Sequence, residues 1–294
     1  MTVKVNDVKS GASGAVSHLK PSLTERFSHR NGLVLKKFHT DNPLSDLDFE
    51  SEIRALQFLD VHRKNLPFSV PKLLDFGTKL GEESTDGIAQ YYIKMTALRQ
   101  PLPHVNGQDI SFDDGLKQRY QEGKALAHFH KLPVDVTKTP LTDLIAKRYK
   151  FNLNSFGVAP LFAEEIAEIT SSLDNLSGEA VFLHGDMFYR NVCAEGIGMP
   201  ITGVLDFGQS GFGVKELDFK HSLNEPPEFQ KAFQDGYEEV SDEGINVDNI
   251  HVIGEYLELI DKMRHMQRIS SMDLREDKTT TLHQPENWLR VPEA

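Results

Sequence analysis

The chain has 294 residues, 39% hydrophobic and 26% charged, the balance of a soluble folded protein with room for one large domain or two lobes. A net charge of −12 argues against general nucleic-acid binding, and no apolar run approaches the roughly 18 residues of a membrane span. The N-terminal segment has no apolar signal core, and the single cysteine, Cys193, permits no intrachain disulfide, so a cytoplasmic protein without membrane or nucleic-acid partners is expected.

Val3, Val5 and Val8 suggest a first extended element. The small-residue loop Lys9-Ser10-Gly11-Ala12-Ser13-Gly14 follows and opens into a strand at Ala15-Val16. Glycines in such a loop let backbone N–H groups approach phosphates, although a plain hairpin turn has the same composition. Asn31-Gly32 is a hairpin signal before the strand 33–38, where alternation puts Lys36 and Lys37 on opposite faces. Leu47, Phe49, Ile53, Leu56 and Leu59 predict a helix over 46–62, with Glu50 and Glu52 on different faces. Residues 69–77 start a strand pair, Tyr91 to Met95 read as its last strand, and 96–107 is a polar, proline-containing connection.

Ser111-x-x-Asp114 marks a helix start, and Leu116, Tyr120, Ala127 and His130 recur at helical spacing behind it. His128 and His130, two apart, lie on different helix faces and read as packed or capping residues, not metal ligands. Two more helices are expected over 141–149 and 160–173. The C-terminal part is helical and acidic, with Phe229, Phe233 and Tyr237 four residues apart, then Val252, Tyr256, Ile260 and Met263 on a second helix. Residues 279–294 read as a surface tail.

The chemistry concentrates in 181–208, VFLHGDMFYRNVCAEGIGMPITGVLDFG. An apolar run leads into His184-Gly185-Asp186, Asn191 follows five residues later, and a second apolar run ends at Asp206-Phe207-Gly208. Cys193 lies in the apolar segment after Asn191, as a buried thiol would. Phosphoryl transfer needs a carboxylate beside the attacking hydroxyl, and a second carboxylate with an amide oxygen to hold Mg²⁺ against the phosphates. The pattern H-x-D-x-x-x-x-N followed by D-F-G supplies these groups, with Asp186 as base and Asn191 and Asp206 as metal ligands. The other Asp-Phe-Gly, at 75–77, precedes any catalytic loop and is set aside.

These residues resemble the aminoglycoside phosphotransferase and choline kinase family, small-molecule relatives of the protein kinases whose loop reads HGD, as His184-Gly185-Asp186 does. Gly213 and Asp218 in GFGVKELDF match the family's following Gly and Asp, while Val214-Lys215 stands where Asp-Pro is frequent. The V-L-K strand favours Lys36, and the string E-I-R-A-L-Q-F-L, beginning at Glu52, resembles the helix whose glutamate pairs with that lysine.

The resemblance implies an α+β, two-lobed protein-kinase-like fold. Residues 1–98 would form a nucleotide-binding N-lobe, an antiparallel sheet plus a helix, and residues 99–294 a mostly helical C-lobe holding the catalytic loop and acceptor site. Gly11, Ser13 and Gly14 would position the nucleotide, Lys36 held by Glu52 would reach its phosphates, and Met95 and Ala97 would lie in the hinge that meets adenine. Asp218 would brace the catalytic loop, and Arg190 is a candidate for positive charge near the γ-phosphate. Glu225, Asp235, Glu238, Glu239 and Glu255 are candidate acceptor contacts, against the alternative of a solvated acidic face. ATP or GTP with Mg²⁺ is the expected co-substrate, and a small-molecule hydroxyl the acceptor, in a monomer or homodimer. An aminoglycoside-like antibiotic, amino alcohol, amino acid and sugar all remain open. Only eleven residues separate Asp206 from Asp218, and no A-P-E follows, which disfavours a protein kinase. A nucleotide-binding pseudokinase is the other alternative, disfavoured because every chemical residue is present.

Overall fold

Strand β1 (Asn6–Gly11) pairs antiparallel with β2 (Gly14–Leu19), and β2 with β3 (Leu33–His39), in the computed structural model, which describes residues 6–11, 14–19, 32–39, 45–79, 90–98, 110–135 and 142–273. With β4 (Leu73–Lys79) and β5 (Gln90–Thr96) they form a five-stranded antiparallel sheet, ordered β1-β2-β3-β5-β4. Asn31 of the expected Asn31-Gly32 turn lies outside the described residues. Leu19 pairs with Leu33, and Gly32 O accepts a hydrogen bond from Ala97 N (2.7 Å).

Helix α1 (Ser45–His62) packs on this sheet, with Phe49 against Phe38 (5.6 Å between ring centroids) and Tyr91 (4.8 Å). Its buried stripe runs Asp48, Ser51, Glu52, Ala55, Leu56, Leu59, the i, i+3, i+4 spacing of one helix face. The first turns of that stripe carry two carboxylates where a plain core helix would carry apolar groups. Each must find a cation, because an unpaired buried charge is costly.

The rest of the described chain is mostly helical. It comprises α2 (Phe112–His130), α3 (Thr142–Asn154), α4 (Ala163–Asp174), α5 (Pro227–Val240) and α6 (Val247–Asp273). Ser111 caps α2 by accepting from Asp114 N (3.1 Å). Helices α2 and α5 approach so closely that a Cβ on Gly123 would lie 2.0 Å from Phe233 O, and one on Gly236 1.9 Å from Tyr120 O. Short strands β6 (Val181–Leu183), β7 (Val192–Cys193), β8 (Gly203–Val204) and β9 (Gly211–Gly213) pair as β6 with β9 and β7 with β8. No helix among the described residues is long and apolar enough to cross a membrane.

Two apolar cores meet at β6. Phe182 joins a cluster with Leu56, Ile93, Leu126, Phe129 and Phe207, while Leu183 joins a second one with Leu153, Ile169, Ile253 and Met263. Alternation along a three-residue strand thus fixes the segment entering Asp186 from both sides. Residues 279–294 and the first valines, Val3 and Val5, lie outside the described residues.

Candidate active site

The loop after β6 is built around Gly185 and Asp218. Gly185 has φ 78°, and a Cβ there would lie 1.9 Å from Gln209 O, so the position demands glycine on both conformational and steric grounds. Asp218 sits in a 3₁₀ segment, Lys215–His221, and is buried. One of its oxygens accepts from Gly185 N (2.5 Å), and the other from His184 N (2.8 Å) and His130 Nε2 (3.1 Å). Burial works to raise the Asp218 pKa, but the hydrogen bonds of His130 and Gly185 N to the carboxylate outweigh it and hold the carboxyl below its ordinary value. His130 Nδ1 in turn accepts from the Tyr237 hydroxyl (2.9 Å), which makes His130 a packed residue.

His184 is fully buried; its Nε2–H donates to Leu205 O (2.9 Å), and its Nδ1 accepts from Asp186 N (3.2 Å). This pattern needs the neutral imidazole, and burial lowers its pKa accordingly. The Phe207 ring, 5.0 Å away, closes the apolar side.

Asp186 points its carboxylate at two partners. His221 Nε2–H donates to Oδ1 (2.8 Å), and Asn191 Nδ2–H donates to Oδ2 (3.0 Å) and to Asp186 O (2.8 Å). Against burial, which raises it, His221 and the charge of Lys220 hold the Asp186 pKa well below the carboxylate range. Leu205 N donates to Asn191 O (2.7 Å), and Val192 pairs with Val204, so Asn191 and Asp206 leave one small ladder side by side. Asp206 has φ 60°, unlike any other non-glycine among the described residues. Non-glycine residues in that region cluster at functional sites.

The buried carboxylates of α1 meet their cations here. Lys36 Nζ contacts Glu52 Oε2 (2.6 Å) and Asp206 Oδ1 (2.7 Å). Burial opposes the ammonium, but Asp206 and Glu52 together raise the Lys36 pKa, and burial likewise pushes Glu52 up against the pull of Lys36. Glu50, by contrast, is exposed and pairs with Arg54. Asp48 pairs with Arg148 of α3, whose guanidinium also donates to Gly208 O (2.7 Å). One face of α1 therefore holds both the lysine and, through Arg148, the Asp-Phe-Gly turn.

A cavity of about 420 Å³ opens beside Asp186, lined among others by Asn152, Gln209, Lys220, His221, Tyr256 and Arg264. Lys220 Nζ donates to Gln209 Oε1 (3.0 Å). Burial lowers its pKa, while Asp186 and Asp218 favour its charged form.

The sequence-predicted residues fall into three groups. Asp186, Asn191, Asp206, Lys36 and Glu52 come together, braced by Asp218. Gly11 and Gly14 face each other as a closing pair of the β1–β2 hairpin, and Ser13 lies outside the described residues. Met95 is buried in the core, and Ala97 N–H is committed to Gly32 O. Arg190 is not brought to Asp186; it is exposed and lies over the Tyr189 ring, its Nε donating to that hydroxyl (3.1 Å). The acidic candidates are not on the cavity either. Glu225 pairs with Arg119, Asp235 with Lys231, Glu239 with Lys124 and Glu255 with His251, and Glu238 accepts from Gln234. Asp75 and Phe76 of the earlier Asp-Phe-Gly are exposed on β4.

Sequence reasoning missed Asp48, Arg148, Lys220 and His221. Asp48 was legible in principle, four residues before Glu52 and so on the same helix face. His221 was also within reach, since i and i+3 eclipse in a 3₁₀ turn and Asp218 is three residues earlier.

A model of the phosphotransferase enzyme family matches residues 9–245. A comparison with curated proteins gave no match. Among solved structures, the chain is similar to a macrolide 2'-phosphotransferase from Brachybacterium faecium, at 15% identity and TM-score 0.54, covering 94% of this chain and 92% of that one. It is similar to an ADP-bound aminoglycoside phosphotransferase, at 17% identity and TM-score 0.57, covering 93% and 91%. A GDP complex of an aminoglycoside 2'-phosphotransferase matches at 14% identity and TM-score 0.58, covering 94% and 93%. These likenesses give the two-lobed protein-kinase-like fold, and the family match, which spans the sheet, the catalytic loop and α5, shows that the chain belongs to the phosphotransferase enzyme family.

Proposed function

We propose that the chain transfers the γ-phosphoryl group of ATP or GTP to a hydroxyl group of a small molecule. The observation that carries this reading is Asp186, an ionised carboxylate oriented by His221 and Asn191 on a cavity of small-molecule size. The hydroxyl oxygen forms a bond to the γ-phosphorus as the bond from phosphorus to the β,γ-bridging oxygen breaks. ADP or GDP leaves, and the hydroxyl proton passes to Asp186. A carboxylate of such low basicity orients the hydroxyl and takes its proton late, which suits a loose transition state.

Residues 1–98 make the nucleotide lobe in this reading, and 99–294 the acceptor lobe. Lys36, fixed by Glu52, holds the phosphates, and the β1–β2 hairpin with Gly11 and Gly14 lies over them. The residues fit Mg²⁺: Asn191 gives its N–H groups to Asp186 and keeps an amide oxygen, and Lys36 and Gly208 both engage Oδ1 of Asp206. Two hard oxygen donors suffice for a cation that takes the rest of its shell from phosphates and water. When bound, Mg²⁺ would neutralise phosphate charge. The ADP and GDP of the neighbouring structures support a purine nucleotide, and their macrolide and aminoglycoside substrates a small-molecule acceptor.

ADP release over a panel of hydroxyl compounds tests the reading. Acceptor-dependent release by the wild type, absent in Asp186→Ala, is expected. Equal release by that variant would overturn the assignment of the base.

A further inference from the structure

Every carboxylate on the cavity already has a partner. Asp218 is used by two backbone N–H groups and His130, Asp261 by Arg264 (3.1 Å), and Asp186 by His221 and Asn191. Among the described residues no glutamate lines the cavity, and Asp235, Glu238 and Glu239 of α5 are engaged elsewhere, by Lys231, Gln234 and Lys124. Among the described residues a polycationic acceptor would find no unpaired carboxylate there. The cations are not matched in the same way. Arg148 is answered by Asp48, but Lys220 has no carboxylate within 4.0 Å among the described residues and contacts only the amide oxygen of Gln209. A half-buried ammonium that gains only an amide contact is paid for by a ligand charge more readily than by fold stability.

We propose that the acceptor is an anionic hydroxyl compound, carrying a carboxylate or a phosphate ester, whose negative group is held by Lys220 while its hydroxyl meets Asp186. This rests on the phosphotransferase reading above and names the substrate class of the same site. Tyr149, Phe156 and Tyr256 give the cavity apolar walls, and Asn152 adds a neutral polar group, which suits a compact carbon skeleton with one charged end.

The test uses the full-length chain with Mg·ATP and charge-matched acceptors: glycerate against glycerol, gluconate against glucose, glucose 6-phosphate as the phosphate arm, and kanamycin as the polycation. ADP release and acceptor-induced thermal shift are read together. The expected result is a response to the anionic members at least tenfold stronger than to their neutral partners, with the carboxylate and phosphate arms showing which anion is held. Equal or stronger response to neutral or cationic members, or none to any anionic member at millimolar concentration, overturns the proposal. Lys220→Gln is expected to raise the acceptor KM about tenfold or more with the Mg·ATP KM unchanged, and Lys220→Arg to keep the preference for anions. A rise in the Mg·ATP KM, or a fall in kcat alone, would place Lys220 on the transferred phosphate and also overturn the proposal. A retained Mg·ATP thermal shift shows that the variants fold. Loss of that shift in the wild type would instead sink the phosphotransferase reading, so the two failures are distinguishable.

Discussion

The two lysines of the site differ in what answers them. Lys36 is buried between two carboxylates at 2.6 and 2.7 Å, whereas Lys220 has one neutral amide oxygen at 3.0 Å. The first cluster is complete within the described chain, and so is a fixed part of the machinery. The second is complete only with a ligand charge, and so is where selectivity would reside. Fixed charge sets what every turnover needs, and unmatched charge sets which molecule is turned over.

The largest break of this contrast falls between them, at Asp186. Asp186→Ala is expected to lower kcat by about 10²–10⁴-fold while the Mg·ATP thermal shift persists. Next in size is Asp218→Ala, which strips a buried carboxylate from two backbone N–H groups and His130. It should cost about 3 kcal/mol in urea denaturation, because buried donors are left without their acceptor. Glu52→Gln keeps Lys36 on Asp206 alone, and should weaken Mg·ATP binding about tenfold with the acceptor KM unchanged, checked by titration calorimetry.

A smaller effect is read from pH. Burial lowers the His184 pKa against the opposing pull of Asp218 and Asp186, so the folded chain binds fewer protons there than the unfolded chain once pH falls through about 6.5. Its contribution is whole above that pH and declines below it towards the folded pKa, by up to ~1.4 kcal/mol per pH unit. Glu52, pushed up to about 7 by burial against Lys36, titrates in the same window with the opposite sign. The His184 effect is therefore read as the difference in urea midpoint between wild type and His184→Asn from pH 8 to 5.5. The smallest change sharpens the comparison from outside: Glu239→Gln, on a surface pair with Lys124, should move stability by no more than about 0.5 kcal/mol and leave the acceptor KM unaltered.

The loop after β6 was legible in the sequence because its polar groups are set by short spacing. Asp186, Asn191 and Asp206 stand at strand ends whose apolar runs are visible, and Gly185 is fixed by a backbone conformation that excludes other residues. Helix α1 was legible from its period, whereas strand alternation and helix face left Lys36 with Lys37 and Glu52 with Glu50 as alternatives, and only the family resemblance chose between them. Arg148 and Lys220 were not legible, since their directions depend on how α3 and the Lys215–His221 turn pack against residues 60 or 11 positions away. Acidic residues of α5 looked like acceptor contacts because composition reports charge, while the fold decides whether that charge is already paired.

The most direct test of the account is the thermal shift of the wild type with ATP and GTP, each with and without Mg²⁺, beside Asp206→Ala. At a hundred times its dissociation constant the nucleotide should stabilise the wild type by about 2.7 kcal/mol, only when Mg²⁺ is present, and should lose that dependence in the variant. No shift with either nucleotide, or one equally large without Mg²⁺, would contradict the site described here.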